Sequence, residues 1–245
     1  MKILLVNDDG IYAEGIWALA RALCREHEVV IVAPDGQRSG ASHSVTLHGA
    51  INYAAYDNDL CAAYYINGTP CDCVKFGLLE LAQGADMLIS GINDCANVGT
   101  DILYSGTVNA AIEGGICGLP SIAVSVKVKN NDFEYPAKFV ADNLELFKSL
   151  CHDDLIVSIN MRSSLKEDLK GVRLASCGVR RFDDYYTLLA DGYHLFGDNR
   201  DMGNPPDSDI ELYYNQYIAV TPVKIDFNDR DALQTWQKAV SKICW

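Results

Sequence analysis

Residues 2–10 read KILLVNDDG, a short apolar run that ends in an amide, two carboxylates and a glycine. A run of this length, closed by turn-forming residues, is typical of a strand that is buried on both faces. Ile16, Leu19 and Leu23 follow at helical spacing, and residues 28–33 form a second run rich in valine and isoleucine. This order predicts a right-handed βαβ unit, in which the two strands are parallel.

The same alternation of strand and helix patterns continues to about residue 160. Strands separated by helical segments of about 10–15 residues indicate a parallel sheet with helices on both faces. We therefore expect an α/β fold, a Rossmann-like three-layer αβα core with a mostly parallel sheet, over residues 1–180. Further strands are predicted at 51–56, 60–66, 87–90, 121–126 and 155–159, and helices at 70–81, 108–116 and 135–150.

Residues 181–215 differ from this core in composition. Acidic residues dominate the segment, and a disordered insert is one interpretation of it. Its recurring tyrosines favour an extended C-terminal β-hairpin arm, which would pack against a second subunit of a homo-oligomer. Residues 216–245 then return to a strand pattern at 217–222 and a helix pattern at 231–243. The tyrosines of the expected arm are Tyr185, Tyr186, Tyr193, Tyr213 and Tyr214.

The charge of the chain restricts its partners. The 245 residues include 33 acidic and 20 basic side chains, which give a net charge of −13. A chain of this charge repels polyanions, so we expect no long nucleic acid and no anionic membrane surface as a partner. A small phosphate ester remains compatible, because one bound cation reverses the local field.

Features that bear on the cellular compartment point to the cytoplasm. Met1 and Lys2 are followed by only four apolar residues, Ile3 to Val6, before the polar Asn7. A secretory signal core needs about 7–15 apolar residues. The nine cysteines show no spacing typical of a disulfide framework, which favours a reducing compartment.

Oxygen-bearing side chains follow three of the predicted strands. Asp8 and Asp9 follow the first strand, Ser39 lies after the second, and Asn93 and Asn97 come after the strand at 87–90. The carboxyl ends of parallel strands share one edge of a sheet, where ligands bind. Carboxylate, amide and hydroxyl oxygens suit a hard cation such as Mg²⁺ or Mn²⁺.

Structural roles for the same residues remain open. Asp9 could cap the following helix while Asp8 is solvated, Asn93 could close a turn, and Ser39 could belong to an ordinary loop. Arg38, in the glycine-flanked turn at 36–40, could reach a phosphate or stay on the surface.

Ser105, Gly106 and Thr107 precede a predicted helix and form a candidate anion site. Hydroxyls and backbone N–H groups at a helix start can surround a phosphate, although Ser105 could simply cap the helix. His43, the histidine near these loops, is expected to be a solvated loop residue. The sequence has no dinucleotide-binding glycine fingerprint after the first strand, no P-loop and no nucleophile elbow, which counts against those enzyme classes.

Five motifs occur in an order and spacing that together resemble the SurE (survival protein E) family of metal-dependent nucleoside monophosphate phosphatases. The resemblance is dense over residues 1–126. The motifs lie at residues 7–10, 33–42, 68–70, 90–93 and 104–108.

The resemblance implies a 5′-nucleotidase that hydrolyses nucleoside 5′-monophosphates, with 3′-monophosphates as a further substrate class. It also implies one divalent cation per subunit, Mg²⁺ or Mn²⁺, and homodimers or homotetramers with exchanged C-terminal arms. By resemblance, Asp8 and Asp9 are catalytic, the metal ligands are Asp8, Asp9, Ser39 and Asn93, and the substrate is bound by Asn97, Ser105, Gly106 and Thr107.

One departure from the family pattern concerns the loop that carries Asn97. Cys95 stands where the family usually has glycine, and a positive φ there would strain the loop. A non-catalytic, metal-dependent nucleotide sensor on the same fold is therefore the alternative function, and an assembly protein that works through the arm is a further one. For the enzyme, attack by a metal-activated water is the first expectation, and direct attack by Asp8 is the second.

Overall fold

The structure, a computed structural model, describes residues 1–152, 155–224, 226 and 229–241. Its strands are β1 (Lys2–Val6), β2 (Glu28–Pro34), β3 (Tyr53–Ala55), β4 (Ala62–Ile66), β5 (Met87–Asn93), β6 (Ser121–Val126), β7 (Leu155–Met161), β8 (Val172–Leu174), β9 (Arg181–Leu189), β10 (Gly192–Arg200) and β11 (Ile218–Lys224). Its α-helices are α1 (Glu14–Leu23), α2 (Pro70–Phe76), α3 (Gly106–Ile116), α4 (Glu134–Asp142), α5 (Leu144–Leu150), α6 (Asp209–Tyr214) and α7 (Arg230–Val240).

Nine of these strands form one mostly parallel sheet in the order β3-β4-β2-β1-β5-β6-β7-β11-β8. β1 pairs in parallel with β2 and β5, so that Ile3 lies opposite Val29 on one side and Met87 on the other. β6 and β7 continue the parallel array, whereas β3 and β11 run antiparallel to their neighbours β4 and β7. The carboxyl ends of β1, β2, β5, β6 and β7 therefore meet at one edge of the sheet.

Two apolar clusters, one on each face of the sheet, form the core. On one face, Ile16 and Leu19 of α1 and Phe147 of α5 pack with side chains of the central strands. On the other face, Val74 of α2 and Val108 of α3 pack with side chains that point the opposite way. This arrangement confirms the three-layer αβα architecture predicted from the alternating pattern.

The helix predicted at 70–81 begins as expected and changes form midway. The Thr69 side chain accepts a hydrogen bond from the Asp72 N–H, and the Asp72 carboxylate accepts one from the Thr69 N–H. Pro70 occupies the first turn. This capping box stabilises the start of α2. The chain then continues as a π-helical turn over Gly77–Leu81.

The helix predicted at 135–150 is two helices, α4 and α5, because Asn143 interrupts it. Asn143 has φ −115° and ψ 13°, and its Nδ2 donates to the Phe139 carbonyl at 2.8 Å. Asparagine side chains compete with the backbone for hydrogen bonds in this way, which is why they often end helices.

The expected hairpin is present as a separate two-stranded sheet of β9 and β10, with Leu189 opposite Gly192 at its turn. It ends at Arg200, before the end of the predicted 181–215 segment. Residues 209–214 form α6 instead, and Ile210 packs beside Val98 and Tyr213 in a small separate apolar cluster.

The C-terminal elements follow the sequence pattern closely. β11 matches the strand pattern at 217–222, and α7 corresponds to the predicted terminal helix up to Val240. The predicted end of that helix at Ile243 lies outside the described residues. Across the described part of the chain, no helix has both the length and the apolar character needed to cross a membrane.

Candidate active site

The turn after β1 is closed by its own side chains. Asn7 Nδ2 donates to the Gly10 carbonyl at 2.9 Å, and Asn7 Oδ1 accepts from the Gly10 N–H at 3.1 Å. Gly10 has φ +94°, and a Cβ there would lie 3.0 Å from the Cα of Gly36 in the loop after β2. Glycine is therefore required for both the turn and the close approach of the two loops.

Asp8 lies against the N-terminus of α3. Its side chain is buried, and Thr107 Oγ1 donates to Asp8 Oδ1 at 2.5 Å. A Cβ at Gly106 would lie 2.8 Å from the Asp8 Cβ, so only glycine lets the helix approach the carboxylate this closely. Because a helix N-terminus favours negative charge, it stabilises the Asp8 carboxylate that is packed against it.

The electrostatics of the site favour a bound cation. Burial raises the pKa of Asp8, although hydrogen bonds from the Thr107 side chain and backbone oppose the rise. Burial, followed by the negative charges of Asp8 and Asp94, raises the pKa of Asp9 to about 6. A hard cation would relieve this repulsion between carboxylates, so the donor chemistry fits a divalent metal.

Ser39 lies in the loop after β2 and Asn93 at the end of β5, and these two strands flank β1. The Arg38 N–H donates to the Asp8 carbonyl at 2.7 Å, which joins the loop after β2 to the loop after β1. The next residue, Ser39, is exposed, and its Oγ accepts from Gln37 at 2.9 Å. Asn93 ends β5, and its Nδ2 donates to the Cys95 carbonyl at 2.7 Å.

Asp8 and Asp9 have no third ligand of the histidine, cysteine or carboxylate type to complete a metal site, among the residues that the structure describes. Within the described ranges, no group of three or more histidine, cysteine, aspartate or glutamate side chains could hold a metal. A cation at Asp8 and Asp9 would therefore depend on amide and hydroxyl oxygens as well, which is the type of ligand that Ser39 and Asn93 offer.

The residues predicted to bind phosphate already make contacts within the protein. Ser105 Oγ accepts from the Val108 N–H at 3.1 Å, so the ordinary capping role considered for Ser105 is present. Thr107 contacts Asp8, as described above. Gly106 adds the space and the backbone N–H that an anion needs at the first turn of α3.

Asn97 is held by two residues that the sequence analysis missed, Asn160 and Ser125. The Asn97 N–H donates to Asn160 Oδ1 at 2.8 Å, and Asn160 Nδ2 donates to the Asn97 carbonyl at 3.1 Å. Asn97 Nδ2 also donates to Ser125 Oγ at 2.8 Å. Both partners are polar residues near the ends of apolar strands. This pattern in the sequence could have identified them as candidate residues of the site.

The strain considered at Cys95 is absent. In the described ranges, a positive φ outside glycine is found at Ser42, Asn130, Asn131 and Gln216, and Cys95 is not among them. The loop from Asn93 to Asn97 therefore accepts a cysteine at this position without a left-handed backbone conformation.

His43 lies in a loop as expected and its side chain is 32% exposed, but it is not free in solvent. His43 Nε2 lies 2.6 Å from Glu113 Oε2, and Glu113 is a buried residue of α3 whose other oxygen lies 2.5 Å from Lys75 Nζ. Arg38 does not extend freely either, because its guanidinium pairs with Asp35 at 2.6 Å. The His43 contact holds the loop after β2 against α3, and the Arg38 contact stabilises the loop internally.

Comparisons with known proteins agree with this geometry. A family model described as Survival protein SurE matches residues 3–184. A protein of Clostridium beijerinckii named 5′-nucleotidase SurE is 39% identical, over 99% of this chain and 100% of that protein. A protein of the same name from Syntrophomonas wolfei is 37% identical, over 99% of this chain and 96% of that protein.

A solved structure shows the same fold. The crystal structure of the SurE protein from Aquifex aeolicus aligns with a TM-score of 0.84 at 31% sequence identity, and the alignment covers 99% of this chain and 100% of that one. On these grounds, the chain belongs to the SurE family.

Proposed function

We propose that this chain is a metal-dependent phosphatase that hydrolyses nucleoside 5′-monophosphates, and also 3′-monophosphates, to nucleoside and inorganic phosphate. The names of its relatives support a nucleotide phosphatase. The observation that carries the proposal is the contact of Asp8 with Thr107 at the N-terminus of α3, an element that favours anions, together with the charge repulsion between Asp8 and its neighbour Asp9.

We assign the cofactor as one divalent cation per subunit, Mg²⁺ or Mn²⁺, held by the oxygens of Asp8, Asp9, Ser39 and Asn93. When bound, such a cation acts as a Lewis acid that neutralises charge on a phosphate oxygen. The raised pKa of Asp9 supports this assignment, because a proton and a cation are alternative ways to relieve the same repulsion.

The protein groups would supply position and electrostatic stabilisation. In phosphoryl transfer the negative charge spreads over the equatorial phosphate oxygens, so groups fixed in advance around those oxygens lower the barrier. Backbone N–H groups at Ser105 to Thr107 and the Asn97 side chain are the groups proposed for this role. Thr107 has a second function here, because its hydroxyl orients the Asp8 carboxylate.

A water molecule is the nucleophile that the geometry favours. Asp8 is 5% exposed, and one of its carboxylate oxygens accepts the Thr107 hydroxyl. An attacking carboxylate oxygen needs free access to phosphorus in line with the bond that breaks, and Asp8 is held in place instead. We therefore rank attack by water above formation of an aspartyl-phosphate.

The hairpin of β9 and β10 is proposed to join subunits into a homodimer or homotetramer. Tyr185 and Phe196 stack on each other, yet they remain 50% and 42% exposed, as do other apolar side chains of this hairpin. Apolar area of this kind is stabilised when a partner covers it.

Two other functions have less support in the structure. The nucleotide sensor rested on strain at Cys95, and Cys95 shows no such strain. The assembly protein would act through the hairpin alone, which gives no role to the buried polar residues of the sheet edge, such as Asp8, Thr107 and Asn160. Hydrolysis is therefore the function that we propose.

The test is phosphate release from a panel of nucleoside 5′- and 3′-monophosphates in EDTA, Mg²⁺ or Mn²⁺. We expect release with either metal and none in EDTA. If nucleotides bind but no phosphate is released under any condition, the sensor replaces the phosphatase. If they neither bind nor react, the site assignment itself is wrong.

A further inference from the structure

Asn160 lies near the end of β7 and is completely buried, with 0% exposure. Its side-chain oxygen accepts the Asn97 N–H at 2.8 Å, and its side-chain nitrogen donates to the Asn97 carbonyl at 3.1 Å. The same nitrogen lies 3.3 Å from Ser158 Oγ. A side chain without solvent access cannot touch a substrate, so any effect of Asn160 on the reaction must pass through a neighbour.

The two bonds to Asn97 fix the backbone of that residue. They pair both its N–H and its carbonyl with one planar amide, much as a neighbouring strand would. The segments joined in this way are 63 residues apart in the chain. The loop after β5 is therefore held at Asn97 by the strand end of β7.

A third bond fixes the side chain of Asn97. Its Nδ2 donates to Ser125 Oγ at 2.8 Å, near the end of β6. β6 lies two strands from β1 in the sheet, or about 10 Å at the usual strand spacing. Asn97 is thus fixed at the ends of β6 and β7, on the sheet edge that also carries Asp8 and Asp9.

We propose that Asn160 is a positioning residue for the reaction, which acts by holding Asn97 in the orientation that contacts the substrate, with Ser125 in a lesser supporting role. The inference rests on the proposed phosphatase function. Small displacements of a substrate-contacting group reduce turnover strongly, which is why a residue outside the site can affect it.

The test is a double-mutant cycle on kcat/KM for a nucleoside monophosphate in the presence of Mn²⁺. We expect Asn97→Ala and Asn160→Ala each to lower kcat/KM on the order of 10- to 100-fold. If Asn160 acts through Asn97, the double variant is no more than about twofold worse than Asn97→Ala alone. If the two losses multiply instead, Asn160 acts independently of Asn97, and the proposal is wrong.

Two further variants keep the test decisive. Ser125→Ala removes only the side-chain bond to Asn97, and we expect a smaller loss that is also absent in the Asn97→Ala background. Should Asn160→Ala fail to fold, Asn160→Asp keeps the side-chain volume while it removes the donor to the Asn97 carbonyl, and the same non-additivity is expected of it.

Asn58 provides the matched control. It also bonds backbone groups through its side chain, at Leu60, Cys61 and Tyr56, in the turn between β3 and β4. Asn58→Ala should lower thermal stability and leave kcat/KM within about twofold of the unmodified protein. A loss in Asn58→Ala equal to that in Asn160→Ala would mean that general destabilisation explains both. An unmodified protein without activity would overturn the proposed function and this inference together.

Discussion

The sheet edge and the hairpin differ in how their side chains are held. At the sheet edge, Asp8 is buried and contacts Thr107 across 99 residues of sequence, and Asn97 contacts Asn160 across 63. In the hairpin, by contrast, β9 and β10 form a separate two-stranded sheet, and most of their side chains are exposed. Changes at the edge should therefore affect activity or stability of the single chain, whereas changes in the hairpin should affect association.

The largest effect is expected at Asp9. Asp9→Asn keeps the size of the side chain but removes one of the two carboxylates proposed to hold the cation. We expect phosphate release to fall by about 1,000-fold or more, the upper range for loss of one electrostatic group in an active site. Circular dichroism and thermal unfolding should show a folded protein, because Asp9 is partly exposed and lies in the turn after β1. Asp198→Asn, in the hairpin, is the control and should retain full activity.

Near-normal turnover of Asp9→Asn would contradict the assignment of the site. It would leave the sheet edge no more important for activity than the hairpin.

The junction between the two regions should show the next largest effect. Asp209 is buried, and its carboxylate accepts the backbone N–H groups of Gly99, Gly178 and Ile210 at 2.7–2.8 Å. Asp209→Ala leaves three buried donors without a partner, so we expect a loss of about 3 kcal/mol in the free energy of unfolding. Urea unfolding measures this, with the exposed Asp198→Ala expected to change stability by less than about 0.5 kcal/mol. Equal losses of unfolding free energy in the two variants would mean that the buried contacts of Asp209 stabilise the chain no more than the exposed hairpin does.

A smaller effect with a definite pH dependence is expected at Asp72. Burial alone would raise its pKa, but hydrogen bonds from Thr69 and Thr46 outweigh burial and lower the pKa below the usual value. A carboxylate whose pKa is lowered in the folded state stabilises the protein above its unfolded pKa of about 3.9, and this contribution is lost as the pH falls through the folded value.

Asp72→Asn should therefore cost about 1–2 kcal/mol of stability near pH 7, from the loss of hydrogen bonds to a charged group. The difference from the unmodified protein should shrink below about pH 4. Unfolding free energies measured between pH 3 and pH 7 test this. A difference between the two proteins that grows toward low pH would mean that the pKa of Asp72 is raised by folding, not lowered.

The smallest effect on the single chain is expected in the hairpin. Tyr185 and Phe196 stack at 5.9 Å between ring centroids but contribute little to the core. Replacing both with serine should change the unfolding free energy of the chain by no more than about 0.5 kcal/mol. Sedimentation should instead show weaker self-association than in the unmodified protein. Unchanged association would mean that the hairpin does not join subunits.

The core elements could be predicted because their signals are local. The apolar runs at β1 and β2 and the Thr69 capping box are each visible within a few residues of sequence. The start of α6 was also visible, because Ser208 and Glu211 have capping-box spacing and the Ser208 side chain accepts the Glu211 N–H. The tyrosine-rich composition of the region led to an arm being predicted there instead.

Contacts between distant segments could not be predicted in the same way. The His43 contact with Glu113 and the Asn160 contact with Asn97 depend on where the sheet brings separate loops. The sequence therefore predicted which residues lie at the strand ends, such as Asp8 and Asn97. It did not predict which buried groups hold them, because hydrogen bonding between strand ends leaves no periodic pattern.

The carboxylates at the end of β1 are proposed to form a divalent-cation site. Electron paramagnetic resonance during a Mn²⁺ titration tests it most directly, with the unmodified protein and Asp9→Asn compared side by side at pH 7.5. We predict one bound Mn²⁺ per chain in the unmodified protein, strongly weakened in Asp9→Asn. Affinity in the unmodified protein should also fall below about pH 6, where Asp9 takes up a proton. Equal Mn²⁺ binding in both proteins, or binding that does not change with pH, would contradict a cation site at Asp8 and Asp9.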